Sequence, residues 1–164
     1  MKKINFTMDR NTYLQESFQY NDKANRQLLV KIRELPEPAE SIKLFSHLIN
    51  CQYKWLARIL QDPEAVNMDW WIPVYPVESL ETKWTDSLGM WLNYLDTHTE
   101  SELMTEVVFI GFDGSRFAAT PYDIAIQLNN HSIHHRAQMQ TLIRQQGLVP
   151  DFLDYIGTKY RKLD

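Results

Sequence analysis

Seven prolines constrain this chain more than any other feature, because they fall in clusters and leave four long stretches free of helix breakers. They are Pro36 and Pro38, Pro63, Pro73 and Pro76, Pro121, and Pro150. A proline inside a helix removes a backbone donor and clashes with the preceding turn, so helices run between these points. Each stretch carries inward residues at steps of three and four, the spacing that keeps one helix face buried. Residues 9–35 align Leu14, Phe18, Asn21, Asn25, Leu28, Ile32 and Leu35. Residues 38–61 align Leu44, His47, Leu48, Cys51, Trp55 and Ile59, and residues 78–99 align Leu80, Trp84, Leu88, Trp91 and Leu95. The last helix starts at Thr120, a side chain able to accept from the first turn, followed by Pro121 and the acidic Asp123. It runs through Ile124, Leu128, His131, His135, Met139 and Leu142 and stops at Gly147.

Four amphipathic helices require a common core, and the simplest all-α solution is a four-helix bundle. The short LPEP link predicts that the first two helices are antiparallel neighbours. Residues 62–77 form a long crossover rich in Trp and Pro. Within 104–118, VVFIGF followed by Asp113-Gly114 predicts a small β-hairpin flap before the last helix. No composition shift or low-complexity tract divides the chain, so residues 1–164 read as a single domain.

Seventeen Lys and Arg against 21 Asp and Glu give a net charge of -4, with no basic stripe for nucleic acid. One cysteine, Cys51, excludes an internal disulfide and any multi-thiolate metal site, and fits a reducing compartment. Asn5, Thr7, Asp9 and Arg10 interrupt the apolar run that a leader would need. The longest apolar run, Val107–Ile110, is far short of the roughly 18–20 residues that span a bilayer. A cytoplasmic protein without membrane or nucleic-acid partners is the expectation.

The histidines carry the chemistry. On a wheel of about 100° per residue with His131 at 0°, His135 falls at about 40° and His134 at about -60°. Ile124, Leu128, Met139 and Leu142 fall between about 20° and 80°. His131 and His135 therefore point inward one turn apart, with His134 on the flank and His98 at the end of the third helix. His47 lies between Leu44 and Leu48 on the inner face of the second helix. Two imidazoles from one helix and one from another make a three-nitrogen site for a divalent ion, with positions left for water or substrate. Zinc, nickel and ferrous iron all suit neutral imidazole, so the identity stays open. Without a metal each buried ring needs polar partners, and the chain offers chiefly Asn21, Asn25, Gln127 and Gln138. No glutamate lies three residues before any of these histidines, against a di-iron carboxylate site, and Ser132 rather than glutamate follows His131, against a zinc-protease helix.

Other residues admit two readings each. Asn21 and Asn25 occupy an inner stripe and must bond something there, either ligands, substrate or backbone. Arg136, about 100° from His135, is a candidate for an anionic substrate group, a dimer contact or a surface salt bridge. Cys51 reads as a small buried hydrophobe before a ligand. Trp70 and Trp71 either roof the pocket or cover the core edge, and Trp84, Trp91 and Tyr94 read as core or dimer interface.

The segment LNNHSIHHRAQMQTLIRQQG resembles the carboxy-terminal signature helix of the DinB/YfiT-like family: His131, three residues, His135, Arg136, the small Ala137 and Gln138, continuing to Leu142 and Gly147. LFSHLINCQYKWLARIL, with His47 and Trp55, and the opening YNDKANRQLL are also similar to that family's segments. The resemblance implies a four-helix bundle, a divalent metal on His47, His131 and His135, and commonly a homodimer. Characterised relatives include transferases and isomerases that use low-molecular-weight thiols such as bacillithiol or mycothiol. The leading expectation is thus a metal-dependent transferase that activates a small thiol for attack on a small electrophilic substrate. A metal-dependent hydrolase and a non-catalytic metal- or ligand-binding module stay open.

Overall fold

The structure, a computed structural model, describes residues 9–163. Residues 1–8, which carry most of the leader reading above, lie outside that range. The described chain is mostly helical, with one small antiparallel sheet. Helix α1 spans Arg10–Arg33, α2 Ala39–Ile59, α3 Leu80–Thr97, the single turn α4 Glu100–Leu103 and α5 Pro121–Gln145. Strands β1 (Val107–Ile110) and β2 (Arg116–Ala119) pair antiparallel, Val107 opposite Ala119 and Ile110 opposite Arg116. None of the described helices is long and apolar enough to cross a membrane.

Local chemistry sets the ends of α5. Thr120 Oγ1 accepts from the Asp123 amide at 3.0 Å, and Pro121 occupies the first turn. At the other end Gly147 takes φ +82°, and the amides of Gly147 and Leu148 close back on Arg144 and Ile143. That pairing satisfies the last carbonyls, and the positive φ suits glycine. The hairpin turn is built similarly: Asp113 Oδ1 accepts from the Ser115 amide at 3.0 Å, and Gly114 has φ +80°. The hairpin is anchored by Arg58 of α2. Its Nη2 donates to Ile110 O at 2.9 Å, and its guanidinium sits 4.9 Å from the rings of Trp55, Trp70 and Phe109.

The expected neighbourhood of α1 and α2 is corrected. Both helices make their main backbone contacts with α3 and α5, not with each other. Five residues of extended link reach about 16 Å, enough to join helices separated by more than one interaxial spacing of about 10 Å. A short link therefore did not dictate adjacency.

The buried apolar side chains form two clusters. One gathers Leu28 and Ile32 of α1, Phe45 and Leu48 of α2, Leu80 and Trp84 of α3, and Met139 and Ile143 of α5. The other gathers Leu14 and Phe18, Leu56 and Ile59, Trp91 and Leu95, and Ile124 and Leu128. Along α1 the residues between these sets include Asn21 and Asn25; along α5 they are His131, Ser132, His135 and Arg136; on α3 Ser87 intervenes. A polar layer thus crosses an otherwise apolar interior, and each group in it needs a partner.

Candidate metal centre

His47, His131 and His135 offer nitrogens that all lie within 4.8 Å of one another. His47 and His135 are each 5% exposed, and His131 is half-buried. His131 Nε2 stands 2.8 Å from His47 Nε2 and 3.1 Å from His135 Nε2. Three nitrogens around one tetrahedral ion, each about 2.0–2.1 Å from it, would stand about 3.3 Å apart, close to these separations.

Hydrogen bonding on the far side of the rings decides what the near side presents. His47 Nδ1 lies 2.7 Å from Trp70 O, and a carbonyl only accepts, so Nδ1 carries the proton. His135 Nδ1 donates likewise to Gln138 Oε1 at 2.6 Å. In the neutral rings, both Nε2 atoms then hold lone pairs aimed at His131 Nε2, which carries at most one proton. One hydrogen between two acceptors leaves the second lone pair to a weak S–H donor, Cys51 Sγ at 3.5 Å from His47 Nε2, whereas a cation satisfies all three nitrogens. The donor set therefore fits a divalent metal. A histidine ligand whose other nitrogen donates to a carbonyl or amide oxygen is the usual support for such an ion.

Burial keeps the rings neutral. Desolvation holds His131 down to about 4, with the neighbouring His135 and His47 adding to the effect. Burial also lowers His47 and His135, against the opposing pull of their bonds to Trp70 and Gln138. An imidazole in the unfolded chain protonates near 6.5. Between that value and about 4, the unfolded chain takes up a proton at position 131 that the folded chain refuses. The metal-free protein is therefore expected to lose stability as pH falls through this window and to be insensitive to His131 above it. Urea midpoints measured from about pH 7 to about pH 4.5 check this; a midpoint that does not fall toward acid would contradict the buried neutral ring.

The crossover covers one side of the site. Trp71 stacks on His47, ring centroids 3.8 Å apart and planes within 11°. Asp69 Oδ1 shapes this turn by accepting from the amides of Trp71 (2.6 Å) and Ile72 (3.1 Å). Trp70 packs 5.5 Å from Trp55. A cavity of about 190 Å³ opens beside the rings, lined by His47, Cys51, Trp55, Trp70, Gln127, Leu128 and His131. Cys51 is buried, its Sγ 3.5 Å from His47 Nε2, and burial pushes its thiol up to about 12.

The remaining candidates lie elsewhere. Asn21 and Asn25 make no hydrogen bond to the three rings: Asn25 Nδ2 donates to Asn21 Oδ1 and Ser132 Oγ, both at 2.9 Å. Arg136 is 4% exposed and bonds Asn21 Oδ1 and Ser132 Oγ, which corrects the reading of a surface salt bridge. His134 is exposed on the flank. His98 caps the end of α3, its Nδ1 bonded to Tyr94 O at 2.7 Å. Sequence reasoning missed the Trp70 carbonyl and the buried Ser132. An Asp two residues before a turn amide was the available signal for the first. The second follows a stripe of Ala125, Ser132, Arg136 and Ile143, which a wheel counting apolar residues overlooks.

Against known sequences, a family model described as DinB family matches residues 8–162. Comparison with curated proteins and with solved structures gives no significant match.

Proposed function

The chain belongs to the DinB family, and from that premise we propose that it is a metal-dependent transferase acting on a small thiol and a small electrophile. The single observation carrying this reading is the convergence of three imidazole Nε2 atoms beside a largely apolar cavity whose wall includes His47 and His131. A divalent ion held by His47, His131 and His135 would supply positive charge that lowers the pKa of a thiol or water beside it. The chain's own residues do the rest. Trp70 O fixes the His47 tautomer, Gln138 fixes that of His135, and Trp71 holds the His47 ring in plane. Trp55, Trp70 and Leu128 line the cavity with apolar surface that disfavours water there.

A thiol is favoured over water because, among the described residues, no carboxylate lines this cavity to act as a general base. A free thiol ionises near 8.5 and needs only a modest shift. Cys51 lines this cavity but is almost wholly buried, and burial holds its thiol protonated, so the reactive sulfur in this scheme comes from a cosubstrate. We further propose a single-domain four-helix bundle acting as a cytoplasmic homodimer on small molecules, not on nucleic acid or membranes. The packing of α1 and α2 against α3 and α5 supports the bundle. The family likeness supports the dimer, and the lone buried cysteine supports a reducing compartment.

Purified protein loaded with zinc, nickel or ferrous iron, given bacillithiol or mycothiol and a panel of electrophiles, tests the activity. Thiol consumption that depends on the ion supports it. Electrophile turnover equal with and without thiol assigns hydrolysis instead, and no turnover under any loading leaves only a binding module. A subtler variant tests the site's support. Gln138 is exposed, so Gln138→Leu should change stability by less than about 0.5 kcal/mol. It should nevertheless weaken metal binding about 10–100-fold, because His135 loses the acceptor that sets its tautomer. Competition with a chelating dye measures this; unchanged affinity would remove Gln138 from the site.

A further inference from the structure

A second cavity, of about 170 Å³, lies between α1 and α5 beside the 3₁₀ turn Tyr155–Thr158, and shares no lining residue with the cavity at His47. Arg136 lines it while being almost wholly buried. Its Nη1 donates to Asn21 Oδ1 and, at 3.2 Å, to Ser132 Oγ, and its guanidinium lies 5.2 Å from the Tyr20 ring centroid. All three partners are uncharged. Among the described residues no carboxylate pairs with Arg136, whose polar neighbours are Asn21, Ser132 and the Tyr20 hydroxyl. A buried cation without a counter-ion is costly, and interior charges are ordinarily paired.

The same cavity holds a second unsatisfied group. Asn129 Nδ2 donates to Ala125 O at 3.1 Å, while its buried Oδ1 has no partner among the described residues. The cavity therefore presents a donor fork that lacks an anion and an acceptor that lacks a donor, between the side chains of Tyr20, Ile133 and Tyr155. We propose that this is a binding site for a small organic carboxylate bearing a neighbouring hydroxyl or ammonium group. The planar guanidinium matches a carboxylate with two parallel hydrogen bonds, the neighbouring donor meets Asn129, and the rings and Ile133 cover an apolar body. The site is distinct from the three histidines and does not rest on the activity proposed above.

Titration of the whole protein with mandelate, followed through the Arg136 Nε–H resonance in ¹⁵N-resolved NMR, tests it. A saturable shift is expected with mandelate. A weaker response is expected with phenylacetate, which lacks the hydroxyl, and none with methyl mandelate, which lacks the charge. Ile133 is half exposed, so Ile133→Glu is compatible with the fold and places a like charge at the cavity wall. It should weaken mandelate binding by about tenfold or more. Absence of a saturable shift, an equal response to the methyl ester, or undiminished binding by the Ile133→Glu protein would each overturn the assignment. Phenylacetate binding as tightly as mandelate would overturn the part given to Asn129. The readout is the guanidinium itself, so a failure here leaves the metal chemistry untouched, and the reverse holds.

Discussion

Replacing His131 by alanine is expected to abolish stoichiometric binding of divalent metal. Its Nε2 is the shared neighbour, 2.8 Å from His47 Nε2 and 3.1 Å from His135 Nε2, so its loss leaves two nitrogens from different helices with nothing between them. Losing an outer hydrogen bond to a ligand already costs about 10–100-fold in metal affinity, and losing a ligand should exceed about a hundredfold. The fold should survive, because the ring is only half-buried and in the metal-free state gives one hydrogen for two lone pairs. Protein purified without an affinity tag and examined by elemental analysis should carry about one ion per wild-type chain and far less in His131→Ala, at equal helix content by circular dichroism. A variant that still carries a full equivalent would remove His131 from the site and reduce the convergence of rings to packing.

Much of this arrangement was legible in the sequence because it depends on periodicity and local chemistry. All seven positions of the first predicted stripe, Leu14 to Leu35, are buried, the two asparagines among them included. The start of α5 at Thr120 and its stop at Gly147 follow from side-chain capping and from a positive φ, both read within a few residues. The inward placing of His131 and His135 was read from the wheel of α5 and that of His47 from its place between Leu44 and Leu48, and the three rings do meet. What was not legible depends on contacts distant in the chain. Arg136 looked peripheral because a wheel built on apolar residues assigns a guanidinium to solvent, while Asn21, 115 residues away, and Ser132 give it a place inside. The partner of His47 is a backbone carbonyl, a group every residue possesses, so composition cannot single out Trp70. The carboxy-terminal segment gave no periodic signal, yet Leu153 is buried and its carbonyl accepts from the Tyr20 hydroxyl at 2.6 Å.

The largest expected loss of stability comes from Trp91→Ala. The ring is fully buried, stacked on Phe18 with centroids 5.5 Å apart, and its Nε1 donates to Gln52 O at 3.0 Å. Truncating a buried Trp to Ala costs about 3–5 kcal/mol through lost transfer energy and the cavity left behind. The lost hydrogen bond accounts for about 1 kcal/mol of that. A loss near 4 kcal/mol is a large share of the roughly 5–15 kcal/mol that holds a domain together. In a chain of this size it should lower the melting temperature by about 10–15 °C. Trp91→Phe separates the two contributions: it keeps most of the stacking surface and gives up the Gln52 bond, for an expected cost of about 1–2 kcal/mol. The contact also reaches the metal centre, since Gln52 lies next to Cys51 and a little over one turn beyond His47 on α2. The Phe variant should therefore keep full metal content, because packing alone still holds α2 in place, while the Ala variant should bind metal only below its lowered melting temperature. Denaturant titration of both proteins with and without metal measures these effects. A Trp91→Ala cost below about 1.5 kcal/mol would mean that the ring does not bridge α3 to α2 as described.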